Sequence, residues 1–590
     1  MTFRVRSMLL ALVAGLACAG SPRPAPSPPE GTGGGPEEGT GGAPMKRDGG
    51  GTGGAIGGET GGTAGADAAP AVDTALAGDS GAPPAADAGG MLPPPGPIAI
   101  PTRYPTGAGP AGVSLGADGK LVYAYDAAGD TVPDFSNAGY RGGGVKIPTV
   151  AVMTTLAPVA GETDASGRIQ AAIDALARMP LGADGFRGAL LLRKGVYPLQ
   201  KGLTIQQSGI VVYGEGDDAN GTVLRITAGA AGSAVLIFNI TDGGKSAVEV
   251  PGSRHAITDP YVPLGARWFH LDSTAGLAVG DEVMVVRPST QEWIDAIAMG
   301  QYGWKPGGYD MKFDRTIVAI ADDRVMVDAP IVQSLDKKYG GGFLYKYTYP
   351  GRIENVGLEK LRGESTIPHP DGLNTVGNLV GIDGLRNGWF SHLTNWYLQG
   401  SPMRIRGGKW ITVEDMVSVH KPWPGAHSGA SPSVFTFDDS QLLYFQRLTS
   451  SDGGFEFSSG GRDPGPNVYV DSTVPHGYAF SGPHQRWANA TLYDHLKLAH
   501  DLAVFNAGGA GSGHGWEGAN HMLWNIEAPG LRCEKPPTAH QWAVGAVAGS
   551  KTGDCDWVSF GTHVKPDSLH HQQLVERLGP AALANIAERK

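Results

Sequence analysis

From about residue 100 onward, apolar residues come in short runs and not in helical stripes. Runs such as ALLLRKGVYPLQKGLTI, GIVVYGEG and TVLRIT are closed by Gly, Asn, Asp or Pro. That pattern reads as short β-strands separated by turns. One segment departs from it. Ser166–Met179 (SGRIQAAIDALARM) sets Ile169, Ala172, Ile173 and Leu176 on one face, with Asp164 or Ser166 as a cap, which predicts a single helix.

Further along, strands are expected at 355–361, 379–383, 403–405, 434–437, 454–457, 478–481, 503–506 and 542–546. Successive steps are mostly about 20–30 residues, the length of one three-sided coil of a stacked β architecture. Each step carries a second strand, among them WFSHLTNWYL, WITVEDMVSV, QLLYFQRLTS, NVYVDSTV, ATLYDHLKLA and HMLWNIEA. Stacked coils pair strands in parallel and pile like positions inside. The expected class is therefore all-β, a parallel β-helix with binding loops on its surface. Residues 250–345 break the rhythm: ARWFHLDSTAGLAVGDEVMVVRP and FDRTIVAIADDRVMVDAPI read as antiparallel strands with tight turns. They predict an inserted β-module between 99–249 and the main coils of 346–590, near one end of a cleft.

The first 98 residues are different in kind. Arg4 and Arg6 precede the apolar run Met8–Leu16 and the small-residue exit Ala17-Cys18, so 1–18 reads as an export signal, too short to span a bilayer. Residues 19–98 are Gly, Pro, Ala and Thr with scattered acids and have almost nothing apolar to bury, as expected of a disordered tether. The stretch Ala14–Cys18 resembles a lipoprotein signal, with Gly15 where Leu is usual. It implies lipidation at Cys18; plain cleavage and secretion is the alternative. Membrane contact is expected only through such an anchor, with the protein exported to the cell surface or outer membrane, or secreted.

The chain has a formal net charge of −11. The tether contributes −6 and the signal +2, which leaves −7 on the folded part. A mildly acidic body argues against nucleic acid as a partner, but a local basic cleft could still take an acidic polysaccharide. With three cysteines in all and Cys18 assigned to the anchor, Cys533 and Cys555 are left to pair in an oxidising compartment. Such a disulfide would contribute on the order of 3 kcal/mol by loop entropy; two unpaired buried thiols are the alternative. A monomer is expected.

The order DFSNAGYRGGG (134–144), the capped IQAAIDA helix, GALLLRKGVYPL and SGIVVYGEGDDANGTVLR resembles the N-terminal part of the pectate-lyase-like superfamily. That resemblance implies a right-handed parallel β-helix whose open end the helix covers. It implies no chemistry, since this fold serves lyases, hydrolases and non-enzymes. A second set of motifs, SGPHQRWA, LYD, GSGHGW, WN, PPTAHQWAVG and VKPDSLHHQQLVERLG, is similar to a group of exported bacterial β-helix proteins described only as pectate-lyase-like. It implies a shared site over most of 350–580.

If Phe455-Glu456, Phe480-Ser481 and Val504-Phe505 lie on neighbouring rungs, the loops after them converge. Arg462, His484, Arg486, Trp487, His514 and Trp516 would then meet on one face. Aromatic faces receive sugar rings and Arg pairs with carboxylates. A lyase acting on uronic acids needs a cation at the carboxylate, a base for the adjacent proton and an acid for the leaving oxygen. Arg486 with Arg462 suits the first role, His484 or His514 the second, and Tyr493 or the other histidine the third. Glu456, Trp487, Trp516 and Asn506 are candidate substrate contacts. Glu456 is expected to face outward if its two Phe neighbours are core, and Asn506 reads more simply as satisfying a backbone turn. The rival is a glycoside hydrolase, with Asp452, Glu456, Asp463 and Glu517 as candidate carboxylates and Asp438-Asp439 as a weaker pair that reads more simply as a solvated turn. A non-catalytic glycan-binding or adhesive coil is the third reading. The Gly run 507–515 lacks the Lys-Ser/Thr ending of a phosphate loop. No Cys/His spacing suggests a zinc site. Calcium is a candidate cofactor through Asp clusters, although no ligand loop stands out.

Overall fold

The computed structural model describes residues 98–228, 235–369, 374–422 and 433–589. The signal, Cys18 and all of the tether but its last residue lie outside the described residues. Outside the insertion, strands from Val152 onward stack in parallel into one large set, and along much of the coil each strand pairs with the third one before and after it. That is a three-sided β-helix. Its connections take the right-handed sense that parallel crossovers adopt.

Parallel register fixes which side chains become neighbours. One inward column runs Leu190, Val212, Leu358, Phe390, Val413, Phe445, Tyr469, Tyr493, Leu523 and Ala543, each paired with the next. Every member is fully buried. A second wall is built from β1 (Asn378–Asp383), β2 (Met403–Arg406), β3 (Ser433–Asp438), β4 (Phe455–Ser459), β5 (Phe480–Pro483) and β6 (Asp501–Val504). It stacks Val380, Met403, Phe435 and Phe457 inside. A buried Phe in such a column costs about 3–5 kcal/mol to replace by Ala. The predicted helix forms as α1 (Ser166–Arg178). Its Ile169, Ala172, Ile173 and Leu176 join the coil's core.

The antiparallel strands of the insertion run from Val248 to Thr348. They do not stand apart from the coil. Their apolar side chains share one cluster with Tyr444, Val468, Leu492, Met522 and Trp542 from the outward side of a coil wall. A buried ionic hub pins the two together: Asp314 of the module takes Lys409 Nζ at 2.7 Å, Arg352 Nη1 at 2.9 Å and the Tyr347 hydroxyl at 2.8 Å. Lys409 and Arg352 hold the Asp314 carboxyl below its ordinary range, against the cost of burial. Cys533 and Cys555 are joined as a disulfide, Cα atoms 5.5 Å apart. Near the C-terminus α2 (Leu569–Leu578) starts at a buried carboxylate: Asp494 accepts from Ser568 Oγ at 2.7 Å and from the His570 N–H at 2.8 Å.

Buried titratable groups bound the pH range of this structure. Burial pushes His500 from 6.5 down to about 4 and His521 to about 3. It pushes Glu456 from 4.5 up to about 8, Asp494 from 3.8 to about 7 and Glu517 from 4.5 to about 9. The depressed histidines contribute stability that is complete above 6.5 and is lost as pH falls toward their folded values. The raised carboxyls contribute stability that is complete below their unfolded values and is lost as pH rises toward their folded ones. The two trends oppose each other between about pH 4.5 and 6.5, so the maximum lies there. Thermal melts across the range from about pH 3 to 9 are expected to give the highest Tm on the mildly acidic side; a maximum at pH 8 or above would contradict the burial of these groups.

Candidate functional site

The site is built from residues at and just past the C-terminal ends of the second wall's strands. Register places Asp383, Arg406 and Asp438 in one column. Phe437 pairs with Ser459, and Ser459 with Pro483, so Gly460 and His484 continue that column. Arg406 and Asp383 pair at 3.2 Å, and Arg404 meets Asp438 at 3.8 Å. The Asp438 carboxylate leans over Gly460, where an added Cβ would lie 1.5 Å from Oδ1. Glycine here leaves an open step between Asp438 and His484.

Just past that column, one residue after Asp438 and two after Gly460 and His484, the corners repeat. Asp439, Arg462 and Arg486 all hold left-handed backbone, with φ of 46°, 63° and 52°. Non-glycine residues reach that region at a cost of about 1–3 kcal/mol each. Stacking sustains it: the Arg462 N–H donates to the Arg486 carbonyl at 2.9 Å, and the Arg486 N–H to the His514 carbonyl at 3.0 Å. The two arginine side chains therefore emerge side by side. Arg462 reaches Asp439 at 3.6 Å. Arg486 Nη2 donates to the Ser512 carbonyl at 3.2 Å and to its hydroxyl at 2.5 Å.

His514 sits on the Gly-rich loop after β6. That loop is closed on itself by Ala507 N–H to Gly515 O and Gly515 N–H to Gly508 O, both 2.9 Å. The module holds it from outside, with Trp304 Nε1 donating to Gly513 O at 3.1 Å. The result brings the His484 and His514 rings to 5.0 Å. Desolvation lowers both imidazoles below their ordinary value. His514 further lowers His484, and Arg486 further lowers His514. Both rings are thus neutral, with lone pairs to offer, at neutral pH.

Two further features adjoin the pair. Phe455, Phe480 and Phe505 form an outward aromatic ladder, with centroids 5.0 and 5.7 Å apart. It touches His484 at one end and carries Arg532 over Phe505 at 4.0 Å. From the module, Tyr309 stacks on Trp304 at 3.9 Å, and its phenol faces Arg486 and Arg462. Burial raises the Tyr309 hydroxyl and the two arginines oppose that shift. It remains a protonated donor at neutral pH.

The structure thus brings His484, Arg486, His514 and Arg462 together. The other expected contacts lie elsewhere. Tyr493 is wholly inside the coil, stacked on Tyr469 at 5.8 Å, because its position falls in the inward column. Trp487 is fully buried, with its indole N–H on Gln333 and its ring edge-on to Trp293 at 4.9 Å; it docks the module. Trp516 does the same work with Nε1 on the Ile297 carbonyl at 3.3 Å. Glu456 is not outward: it is fully buried, bonded to Ser450 Oγ and the Gly453 N–H, because Phe455 takes the outer face and only Phe457 is core. Asn506 serves its turn, accepting the Gly508 N–H at 2.9 Å.

Of the rival carboxylates, Asp463 and Glu517 are buried and raised well above their ordinary range by desolvation, each with one oxygen lacking a partner. Asp452 pairs with His476. Among the described residues, Asp126, Asp130 and His540 form a set of metal-ligand type, with ligand atoms within 4.8 Å of one another.

No protein-family model matches this chain, and no curated protein matches it. Solved structures similar to it include the gp54 tailspike of Acinetobacter baumannii bacteriophage AP22 in complex with A. baumannii capsular saccharide, at 11% identity and a TM-score of 0.36 over 67% of this chain. The chain spans 63% of that tailspike. The DFA-IIIase from Arthrobacter chlorophenolicus A6, in complex with DFA-III, is 11% identical with a TM-score of 0.34, over 72% of this chain and 88% of that one. Polygalacturonase from Erwinia carotovora ssp. carotovora is 9% identical with a TM-score of 0.26, over 70% and 96%. The strand register of this chain makes it a parallel β-helix, and the chemistry of the site is read from its own residues.

In solution, the C2–H resonances of His484 and His514 are expected to titrate below 6.5, the ordinary value from which both are lowered. Arg486→Ala should move His514 upward and leave His500, buried elsewhere, unmoved. Titration of both rings at or above 6.5 would contradict the desolvated pair.

Proposed function

We propose that this chain cleaves an acidic, uronate-containing polysaccharide by β-elimination. The observation that carries the reading is the convergence of two neutral imidazoles, two arginines on stacked corners and one phenol beside an aromatic ladder. Sugar rings lie on the Phe455–Phe480–Phe505 ladder through their apolar faces. Arg486 and Arg462 neutralise the uronate carboxylate, which acidifies the C–H on the adjoining ring carbon. His514, next to Arg486, takes that proton, with His484 behind it. The electron pair forms a ring double bond as the C–O bond to the departing sugar breaks. Tyr309 replaces Tyr493 as the donor of a proton to the leaving oxygen.

A hydrolytic reading on the same cleft is favoured by one feature, the Asp438 carboxylate held over Gly460 with Asp439 at the next corner. A panel of acidic glycans separates the readings. Elimination yields an unsaturated uronate with strong ultraviolet absorbance; hydrolysis yields new reducing ends without it. Elimination is expected, with His514→Ala and Arg486→Ala lowering kcat/KM at least about 100-fold and Tyr309→Phe lowering it about 10- to 100-fold, all three folded by circular dichroism. Near-normal rates in the His514 and Arg486 variants remove the site; reducing ends alone transfer it to Asp438 and Asp439; retention on a glycan column with no product makes it a binding surface. The reading includes export, with Cys18 as the lipid-bearing residue, and a monomeric protein whose partner is the glycan.

A further inference from the structure

The turn Asp126-Ala127-Ala128-Gly129-Asp130 carries two carboxylates at its ends. It closes on itself. The Asp126 N–H donates to the Asp130 carbonyl at 3.1 Å, and Asp126 Oδ1 accepts the Ala128 and Asp130 N–H groups at 2.8 and 2.9 Å. Asp130 Oδ1 takes the Leu264 N–H of the module at 2.7 Å. One oxygen of each carboxylate is thus held by backbone, and the other is left for His540 of the coil. His540 Nε2 lies 3.1 Å from Asp130 Oδ2 and 3.6 Å from Asp126 Oδ2. Its ring is set by stacking on Trp542, with centroids 5.3 Å apart and planes 5° from parallel. The Tyr261 hydroxyl donates to Asp130 Oδ2 at 2.7 Å.

Two carboxylates and an imidazole therefore converge, with all three ligand atoms within 4.8 Å of one another. Among the described residues no lysine or arginine pairs with either carboxylate; the ion-pair partner of both is His540. Zinc bonds of about 2.0–2.2 Å to nitrogen and oxygen set the ligand atoms of a tetrahedral site about 3.3–3.5 Å apart, and the two distances from His540 Nε2 lie on either side of that spacing. Backbone N–H groups and the Tyr261 hydroxyl orient the carboxylates as outer-shell partners orient metal ligands. The group opens on a cavity of about 420 Å³, where Asp336 adds a third carboxylate. The Asp126 and His540 side chains are 23% and 21% exposed, so an ion can reach them. Arg287 also lines the cavity but is buried, its guanidinium packed over Trp293 at 4.1 Å. An acidic wall of this kind draws cations, and an imidazole among the ligands selects zinc-class ions over calcium or magnesium.

We propose that Asp126, Asp130 and His540 bind one divalent transition-metal ion of the zinc class, through Oδ2, Oδ2 and Nε2, with water from the cavity in the fourth position. The ion joins the N-terminal turn to a coil residue 410 positions away in sequence, at the place where the module also contacts the turn. The site lies apart from the histidine cleft and does not depend on the cleavage chemistry proposed above.

Calorimetric titration of the full chain, stripped of metal with EDTA and free of any histidine tag, tests this with zinc chloride. One zinc per chain is expected, with a dissociation constant of order micromolar or below, and saturating zinc should raise Tm by at least about 2 °C. Calcium and magnesium should bind at least about tenfold more weakly. Asp126→Asn keeps an oxygen for the turn's N–H groups and removes the charge; it should weaken zinc at least about tenfold and abolish the Tm shift, as should His540→Gln. Circular dichroism checks that each variant is folded, and should one fail to fold the other decides. The imidazoles of His484 and His514 are a second place where zinc could lodge, so His514→Ala is the control and should leave the zinc affinity unchanged. No zinc binding tighter than about 1 mM, an affinity unaltered in a folded Asp126→Asn or His540→Gln protein, an affinity lost in His514→Ala, or calcium binding as tightly as zinc overturns the assignment.

Discussion

Parallel, in-register stacking is the constraint on which everything else rests. In a parallel pair each residue meets its like on the next strand, so a whole coil repeats the inward or outward choice of the coil before it. Tyr493 stands in line with Tyr469 and Leu523 and is therefore interior, whatever its chemistry suggests. The same rule sets Arg462 and Arg486 one above the other at a corner, the Arg462 N–H donating to the Arg486 carbonyl. Side chains about 24 positions apart become immediate neighbours, as Ser481 and the Phe457 N–H do.

Much of this was legible in the sequence. The coil repeat and the helix expected at 166–179, which forms over 166–178, follow from turn spacing and strand pattern, and the same reading expects an antiparallel insertion and a meeting of Arg462, His484, Arg486, Trp487, His514 and Trp516. What escaped was the side each residue faces. The motif Phe-Glu-Phe looks like simple alternation, yet Phe455 lies outside, Glu456 and Phe457 inside. No local periodicity marks that irregularity. Trp487 and Trp516 are the kind of residue that binds sugars, but the same large apolar area serves equally to dock one layer on another. The module, more than 150 residues away in sequence, decided between the two uses. Tyr309 could not be found at all from local signals, because its relation to Arg486 exists only through that docking.

The buried charges divide into two kinds. Asp314 has three partners and stays ionised, so its burial ties the module to the coil and leaves no dangling charge. Glu456, Asp463 and Glu517 have no cation of comparable closeness and are driven toward the neutral form. The first arrangement fixes architecture; the second leaves buried carboxyls that can donate hydrogen bonds as neutral acids.

The grip of Trp304 on the Gly513 carbonyl has an evolutionary corollary. The loop bearing His514 takes its shape from a module encoded far upstream, whereas the arginine corners belong to the coil. Exchange of the insertion between related chains would therefore retune the mouth of the groove while the pile of rungs beneath stayed as it was. A lineage could diversify what it recognises by recombining one cassette, with no need to rebuild the scaffold.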